Sequence, residues 1–144
     1  MRLISKSTKE THKLSSDIAK KILKLAQQRH AIVIALEGEL GAGKTVFTQG
    51  LAKVLGIKSR ITSPTFVILK RYHFAKKYLY HIDAYRLRDE KDLKALGIGE
   101  IVDDPNNIVV IEWSDRVKKI LPKKHIKIHI DHINDRKRKI TITQ

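Results

Sequence analysis

Ala31-Ile32-Val33-Ile34-Ala35-Leu36-Glu37-Gly38-Glu39-Leu40-Gly41-Ala42-Gly43-Lys44-Thr45 is the stretch that decides how this chain folds. Its first six residues are apolar at every position, which suits a strand buried on both faces of a parallel sheet. From Gly38 onward the stretch matches G-x-x-x-x-G-K-[ST] at every fixed position. The spacing then predicts a helix over Lys44–Leu55, with Phe47, Leu51, Val54 and Leu55 on one side and Gly56 as its stop. Strand, glycine loop and helix in that order are the context a phosphate-binding loop needs. Its glycines let backbone N–H groups converge on phosphate oxygens at the positive end of the following helix. Lys44 is therefore expected to reach the β- and γ-phosphates of a nucleoside triphosphate, and the Thr45 hydroxyl to ligate Mg2+.

Such a loop needs a second magnesium anchor, an acid at the end of a buried parallel strand. Ile108-Val109-Val110-Ile111-Glu112 supplies four apolar residues and then a carboxylate, so Glu112 is the expected metal ligand and Trp113 a packing residue. In Thr62-Ser63-Pro64-Thr65-Phe66 the proline holds Ser63 extended and fixes a turn flanked by hydroxyls. Thr65 is either a γ-phosphate sensor, as in a GTPase switch, or part of a turn that opens a strand. His81-Ile82-Asp83-Ala84-Tyr85-Arg86, if extended, puts His81, Asp83 and Tyr85 on one face. Asp83 is then either the acid that positions water or a surface carboxylate, and Arg86 either offsets negative charge or is structural. His125, His129 and His132 lie among lysines on strand-like segments and read as solvated residues, not ligands.

The flanks complete the fold class. Leu14, Ile18, Ile22 and Leu25-Ala26 recur at helical spacing and predict a helix over 11–29. Phe66–Tyr72 and Tyr78–Ile82 read as an antiparallel strand pair joined around Lys76-Lys77. Asp89 can cap a short helix that runs through Leu96 and ends at Gly97. Ile126, Ile128 and Ile130, then Ile140 and Ile142, alternate with polar residues and predict a C-terminal strand pair turned at Asn134-Asp135. The expectation is one α/β domain over residues 1–144: a P-loop NTPase fold with a mainly parallel central sheet, antiparallel strand additions and helices on both faces.

Composition narrows the function classes. The chain of 144 residues is one domain in length, and it has no cysteine for a disulfide scaffold, a thiol nucleophile or a Cys-ligated zinc site. Thirty Lys+Arg against fifteen Asp+Glu give a net charge of +15. That field attracts RNA and acidic partners, or it reflects lysine-coated solvated faces; the basic runs Lys123-Lys124 and Arg136–Lys139 carry no aromatic interleaving. No N-K-x-D, T-K-x-D or D-x-x-G motif is present for guanine nucleotides, which disfavours a translation-factor type of GTPase. The longest apolar run, Ala31–Leu36, is far below the roughly 20 residues of a membrane span, and the N-terminal residues have no apolar core of a secretory signal. A cytoplasmic protein with no membrane partner is expected.

GELGAGKT at 38–45, SPTF at 63–66, HIDAYR at 81–86, DLKALGIGE at 92–100 and IEW at 111–113, in that order, resemble the TsaE (YjeE) family. This is a family of small bacterial P-loop ATPases needed to form threonylcarbamoyladenosine beside the anticodon of tRNAs reading codons that begin with adenine. The resemblance spans nearly the whole chain. It implies ATP and Mg2+ as cofactors, TsaD and TsaB as partners, and tRNA reached through their complex. It also implies that Glu39, Leu40, Gly41, Ala42, Gly43 and Lys44 wrap the phosphates and that Thr45 and Glu112 bind magnesium. Asp83 takes the position of the acid important for hydrolysis, and Thr8 and Arg136 those of residues near the adenine. The family usually has a glycine where this chain has Ser15, and often an aspartate where Glu39 stands; neither change removes a group the chemistry needs. Two rivals remain at this level, a small-molecule P-loop kinase and a basic RNA-binding module with a vestigial phosphate loop. Because Thr65 and Asp83 are read on a turn and an added strand pair, slow hydrolysis alone and stimulation by a partner are expected.

Overall fold

The computed structural model describes residues 1–25 and 29–144. Its elements in chain order are β1 (Arg2–Ser5), α1 (Thr8–Leu25), β2 (Ile32–Glu37), α2 (Lys44–Val54), β3 (Leu69–Phe74) and β4 (Lys77–Asp83). They continue as α3 (Glu90–Ala95), α4 (Ile98–Asp103), β5 (Asn107–Glu112), a 3-10 stretch over Ser114–Ile120, β6 (Ile126–His132) and β7 (Arg138–Thr143). The strands form one seven-stranded sheet of order β1-β7-β6-β2-β5-β4-β3. The all-apolar strand β2 lies at its centre, parallel to β5 on one side and β6 on the other, and β4 adds a further parallel strand beyond β5. β1, β7 and β3 are antiparallel to their neighbours and form the two margins.

Helices cover both faces, as the α/β pattern predicts. Ile18 and Ile22 of α1 and Phe47 and Leu51 of α2 pack on Ile34, Leu36, Val110, Ile128 and Ile130. On the opposite face, Leu93 of α3, Ile98 of α4 and Val117 pack on Val33, Ile82, Val109 and Ile111. Alternate residues of one strand thus serve two cores, which is why β2 has no polar residue before Glu37 and β5 none between Asn107 and Glu112. Each large side chain so buried is worth about 1.5–3 kcal/mol.

Four local readings change. The helix predicted over 11–29 begins at Thr8, because Ser7-Thr8-Lys9-Glu10 is a capping sequence. Ser7 Oγ accepts the Glu10 N–H at 3.1 Å, and Glu10 Oε2 accepts the Lys6 N–H at 2.6 Å. The predicted continuation over 26–28 lies outside the described residues, and Arg29 is in a bend. Phe66–Ile68 is not strand: Val67 and Ile68 both donate to the Pro64 carbonyl, so the turn runs on to Leu69. The hairpin loop is Ala75-Lys76, with Lys77 already in β4. Finally, only β3 of that pair is an added antiparallel strand, since β4 pairs in parallel with β5 and belongs to the core. β1, α4 and the 3-10 stretch had no strong periodic signal at four to seven residues each.

α1 and α2 cross closely at Gly50. A Cβ built there would lie 2.5 Å from Ser15 Cβ and 3.0 Å from the His12 carbonyl oxygen. Gly50→Ala gains about 1 kcal/mol of helix propensity but meets rigid neighbours, and such overpacking costs about 1–3 kcal/mol. A net loss of stability is expected in urea unfolding, recovered in part by adding Ser15→Gly, with His12 O limiting the recovery.

Candidate active site

Three parallel strands end on an acid: β2 on Glu37, β4 on Asp83 and β5 on Glu112. In register, Leu36 stands beside Glu112 and Glu112 beside Asp83. The loop from Gly38 to Gly43 leaves β2 at this same edge and delivers Lys44 and Thr45 as the first two residues of α2. Gly38 lies against β6 so tightly that a Cβ would sit 2.4 Å from the Ile130 carbonyl oxygen. Gly41 and Gly43 hold φ of +76° and +107°, which closes the loop and starts the helix. Leu40 is the exposed tip and Thr45 is half-buried.

Lys44 is buried at 5% exposure, an unusual place for an ammonium. Its Nζ donates to the Gly38 and Glu39 carbonyls at 2.7 and 2.9 Å and lies 4.3 Å from the centre of the Trp113 ring. Burial pushes its pKa below the usual lysine value, while the charges of Glu112, Asp83 and Asp115 push it back. Trp113 is therefore more than a packing residue: its indole lies between Lys44 and Tyr85, whose ring centre is 5.0 Å away.

Each acid is held by a neighbour. Glu112, 3% exposed, accepts from His81 Nε2 at 2.7 Å through Oε1. Asp83, also 3% exposed, accepts the Thr65 hydroxyl at 2.8 Å and the Tyr85 N–H at 2.9 Å. Asp83 is thus neither a surface carboxylate nor part of a peripheral pair. Its own N–H donates to the Ile68 carbonyl at 2.8 Å, so the SPTF turn and the HIDAYR strand meet at this residue. The strand ends there, which takes Tyr85 off the face it was expected to share with His81 and Asp83. Thr65 also contacts Ser63 Oγ at 2.7 Å, and Arg86 lies over the Phe66 ring at 4.8 Å.

Thr8 and Arg136, far apart in sequence, line one cleft with Gly41 and Gly43 of the loop. Asp135 of the predicted C-terminal turn, with Ser7, Thr11, Val46 and Arg138, completes its wall. The last four were not singled out as site residues from the sequence; only Ser7 had a signal, its capping pattern. A second groove beside the loop is lined by Gly38, Glu39, Trp113, Asp115, His129 and Asp131. There His129 is no plain solvated residue: it contacts Glu37 at 3.4 Å and Asp131 at 3.0 Å, with Lys127 on Glu37 and Lys139 on Asp131, both at 2.8 Å. Burial raises the Glu37 pKa, but hydrogen bonds and charge from Lys127 and His129 bring it below the usual range. The Lys139 hydrogen bond does the same for Asp131. His125 Nδ1 is engaged with the Pro122 carbonyl at 2.8 Å.

The Thr45 hydroxyl, in the first turn of α2, and the Glu112 carboxylate, at the end of β5, are hard oxygens of the kind Mg2+ takes. Backbone N–H groups at a helix start and a buried ammonium complete a site suited to a polyphosphate. No described helix is long and apolar enough to cross a membrane.

The sequence model of the family described as "Threonylcarbamoyl adenosine biosynthesis protein TsaE" matches residues 5–140. Among relatives that bear the name tRNA threonylcarbamoyladenosine biosynthesis protein TsaE, that of Bacillus subtilis is 41% identical over 111 residues, 77% of this chain and 68% of its own. That of Haemophilus influenzae is 39% identical over 79% of this chain and 71% of its own. That of Treponema pallidum is 37% identical over 99% of both chains. A crystal structure of Bacillus subtilis YdiB superposes with a TM-score of 0.78 at 31% identity, covering 99% of this chain and 83% of the other.

Removing the Thr65 hydroxyl leaves the buried Asp83 carboxylate short of a donor. Thr65→Val is expected to lower stability by about 1–3 kcal/mol, the scale of a hydrogen bond to a charged group, and Thr65→Ser to lower it far less. Urea midpoints of the three proteins check this; equal midpoints would show that the contact carries no stability.

Proposed function

Because this chain belongs to the TsaE family of tRNA threonylcarbamoyladenosine biosynthesis, we propose that it binds ATP and hydrolyses it with magnesium. In this reading it serves a partner complex of TsaD and TsaB in the cytoplasm. The carbamoyl-transfer chemistry on the tRNA adenosine belongs to TsaD, and hydrolysis here resets the machine between turnovers. The observation that carries the reading is the convergence of Lys44, Asp83 and Glu112 at the carboxyl edge of parallel strands, beside a complete G-x-x-x-x-G-K-T loop. That edge is where open α/β sheets bind ligands.

The residues divide the work as follows. N–H groups from Glu39 to Lys44 hold the phosphates. The Lys44 ammonium leaves the Gly38 and Glu39 carbonyls for the γ-phosphate, where its charge opposes the negative charge of the transition state. Thr45 and Glu112 hold Mg2+, which when bound neutralises charge on the β- and γ-phosphates. Asp83 orients the attacking water, and Thr65, now bonded to Asp83, senses the γ-phosphate. Thr8 and Arg136 flank the adenine in the cleft beside the loop. The exposed Phe66 and Val67 next to Thr65 give a partner a surface from which to alter that turn.

Lys44→Ala is expected to abolish ATP hydrolysis, a loss of several kcal/mol of transition-state stabilisation. Asp83→Ala should keep nucleotide binding and lose most hydrolysis stimulated by TsaB–TsaD. The lone protein should be slow and the complex faster, in steady-state phosphate release. Trp113 is the single tryptophan and sits on Lys44, so its emission should change with ATP, and with GTP only at about tenfold higher concentration, roughly 1.4 kcal/mol. A fast lone ATPase that the complex leaves unchanged would remove the partner coupling.

A further inference from the structure

The fold does not account for His81. It lies fully buried on the inner strand β4, two residues before Asp83 and on the same face. Its Nε2 contacts Glu112 Oε1 at 2.7 Å, and the Glu112 side chain is itself only 4% exposed. An ionised carboxylate only accepts, so in that pair Nε2–H is the donor. Nδ1 is buried and has no hydrogen-bond partner among the described residues. A buried polar atom without a partner is destabilising, and leucine or phenylalanine would fill this space without one. Leucine or phenylalanine would, however, leave the buried Glu112 carboxylate short of a donor, so histidine is kept here for its bond to Glu112. What histidine supplies and those residues do not is a rigid donor aimed at the Glu112 carboxylate.

We propose that His81 is the positioning residue of Glu112: its Nε2–H fixes Oε1, and the carboxylate then offers Oε2 to the cation held at the loop mouth. The inference rests on the reading that Glu112 is a magnesium ligand. The His81 backbone is paired on both sides, to Lys70 of β3 and Val110 of β5, and the ring is fully buried, so it cannot follow a wandering carboxylate. The neighbouring acid is treated alike, with Asp83 fixed by the Thr65 hydroxyl and the Tyr85 N–H. Partners of this kind around metal ligands typically govern affinity by ten- to a hundredfold.

The test is a Mg2+ titration of the protein with a non-hydrolysable ATP analogue, read by Trp113 fluorescence, with circular dichroism to verify folding. His81→Leu should raise the Mg2+ midpoint about tenfold. His81→Gln, whose amide N–H replaces Nε2–H, should stay within about twofold of wild type. In a Glu112→Gln background, His81→Leu should add no further shift. An unchanged midpoint in folded His81→Leu would overturn the proposal, as would the same shift persisting without the Glu112 carboxylate. Should His81→Leu not fold, His81→Gln decides, and a tenfold shift there overturns it. If Glu112→Gln leaves the wild-type midpoint unmoved, Glu112 is no ligand and the parent reading fails first. Wild-type binding with no dependence on Mg2+ would have the same consequence.

Discussion

The register of three parallel strands governs everything at this edge of the molecule. Leu36, Glu112 and Asp83 stand side by side, so the loop leaving β2 emerges directly beside two carboxylates carried by β5 and β4. Side chains alternate along a strand, and a slip of one residue in β4 or β5 would turn its acid to the face covered by α3 and α4. Lys44 would then lose that acid as a neighbour. Parallel pairing makes the arrangement possible, since it sends the carboxyl ends of all three strands to one edge.

Several groups at that edge are buried or strained, and each has a visible compensation. Lys44 loses hydration but gains two carbonyls, an indole face and nearby negative charge. Ile68 and Trp113 both have positive φ, at 68° and 56°, where a β-branched or bulky residue is a true outlier. Such backbone costs about 1–3 kcal/mol and persists where packing enforces it. Both residues adjoin an acid of the site: the Ile68 carbonyl takes the Asp83 N–H, and Trp113 follows Glu112. The strain is what brings the SPTF turn onto Asp83 and the indole onto Lys44.

The net charge of +15 has a pattern that totals conceal. From Leu40 to Ile82 the chain contains no Asp or Glu and eight Lys or Arg. The site's buried acids, Asp83 and Glu112, both come later in the sequence. Such a field raises the encounter rate of any anionic ligand, while the buried acids impose order only once the ligand has arrived. At the half-buried Glu37 and Asp131, lysines and His129 pair with the acids and hold both below their ordinary pKa.

The sequence by itself determined the parts of this protein that are written in local periodicity. Six apolar residues, a glycine loop and an amphipathic helix specify strand, loop and helix because the length, flanks and apolar spacing of each match the burial of that element. The same holds for the apolar run closed by Glu112 and for the alternating C-terminal strands. Short elements such as β1 and α4 escaped, having too few residues for a period to show. Tertiary structure alone decided what depends on two distant segments meeting: Thr8 facing Arg136 across the loop, Thr65 reaching Asp83, and His81 facing Glu112. It also decided that β4 is an inner strand, because an alternating segment reads the same at an edge as beside β5, and only the partner it pairs with distinguishes the two. Side-chain identity states what a residue can bond to; the pairing of strands states which partner is there.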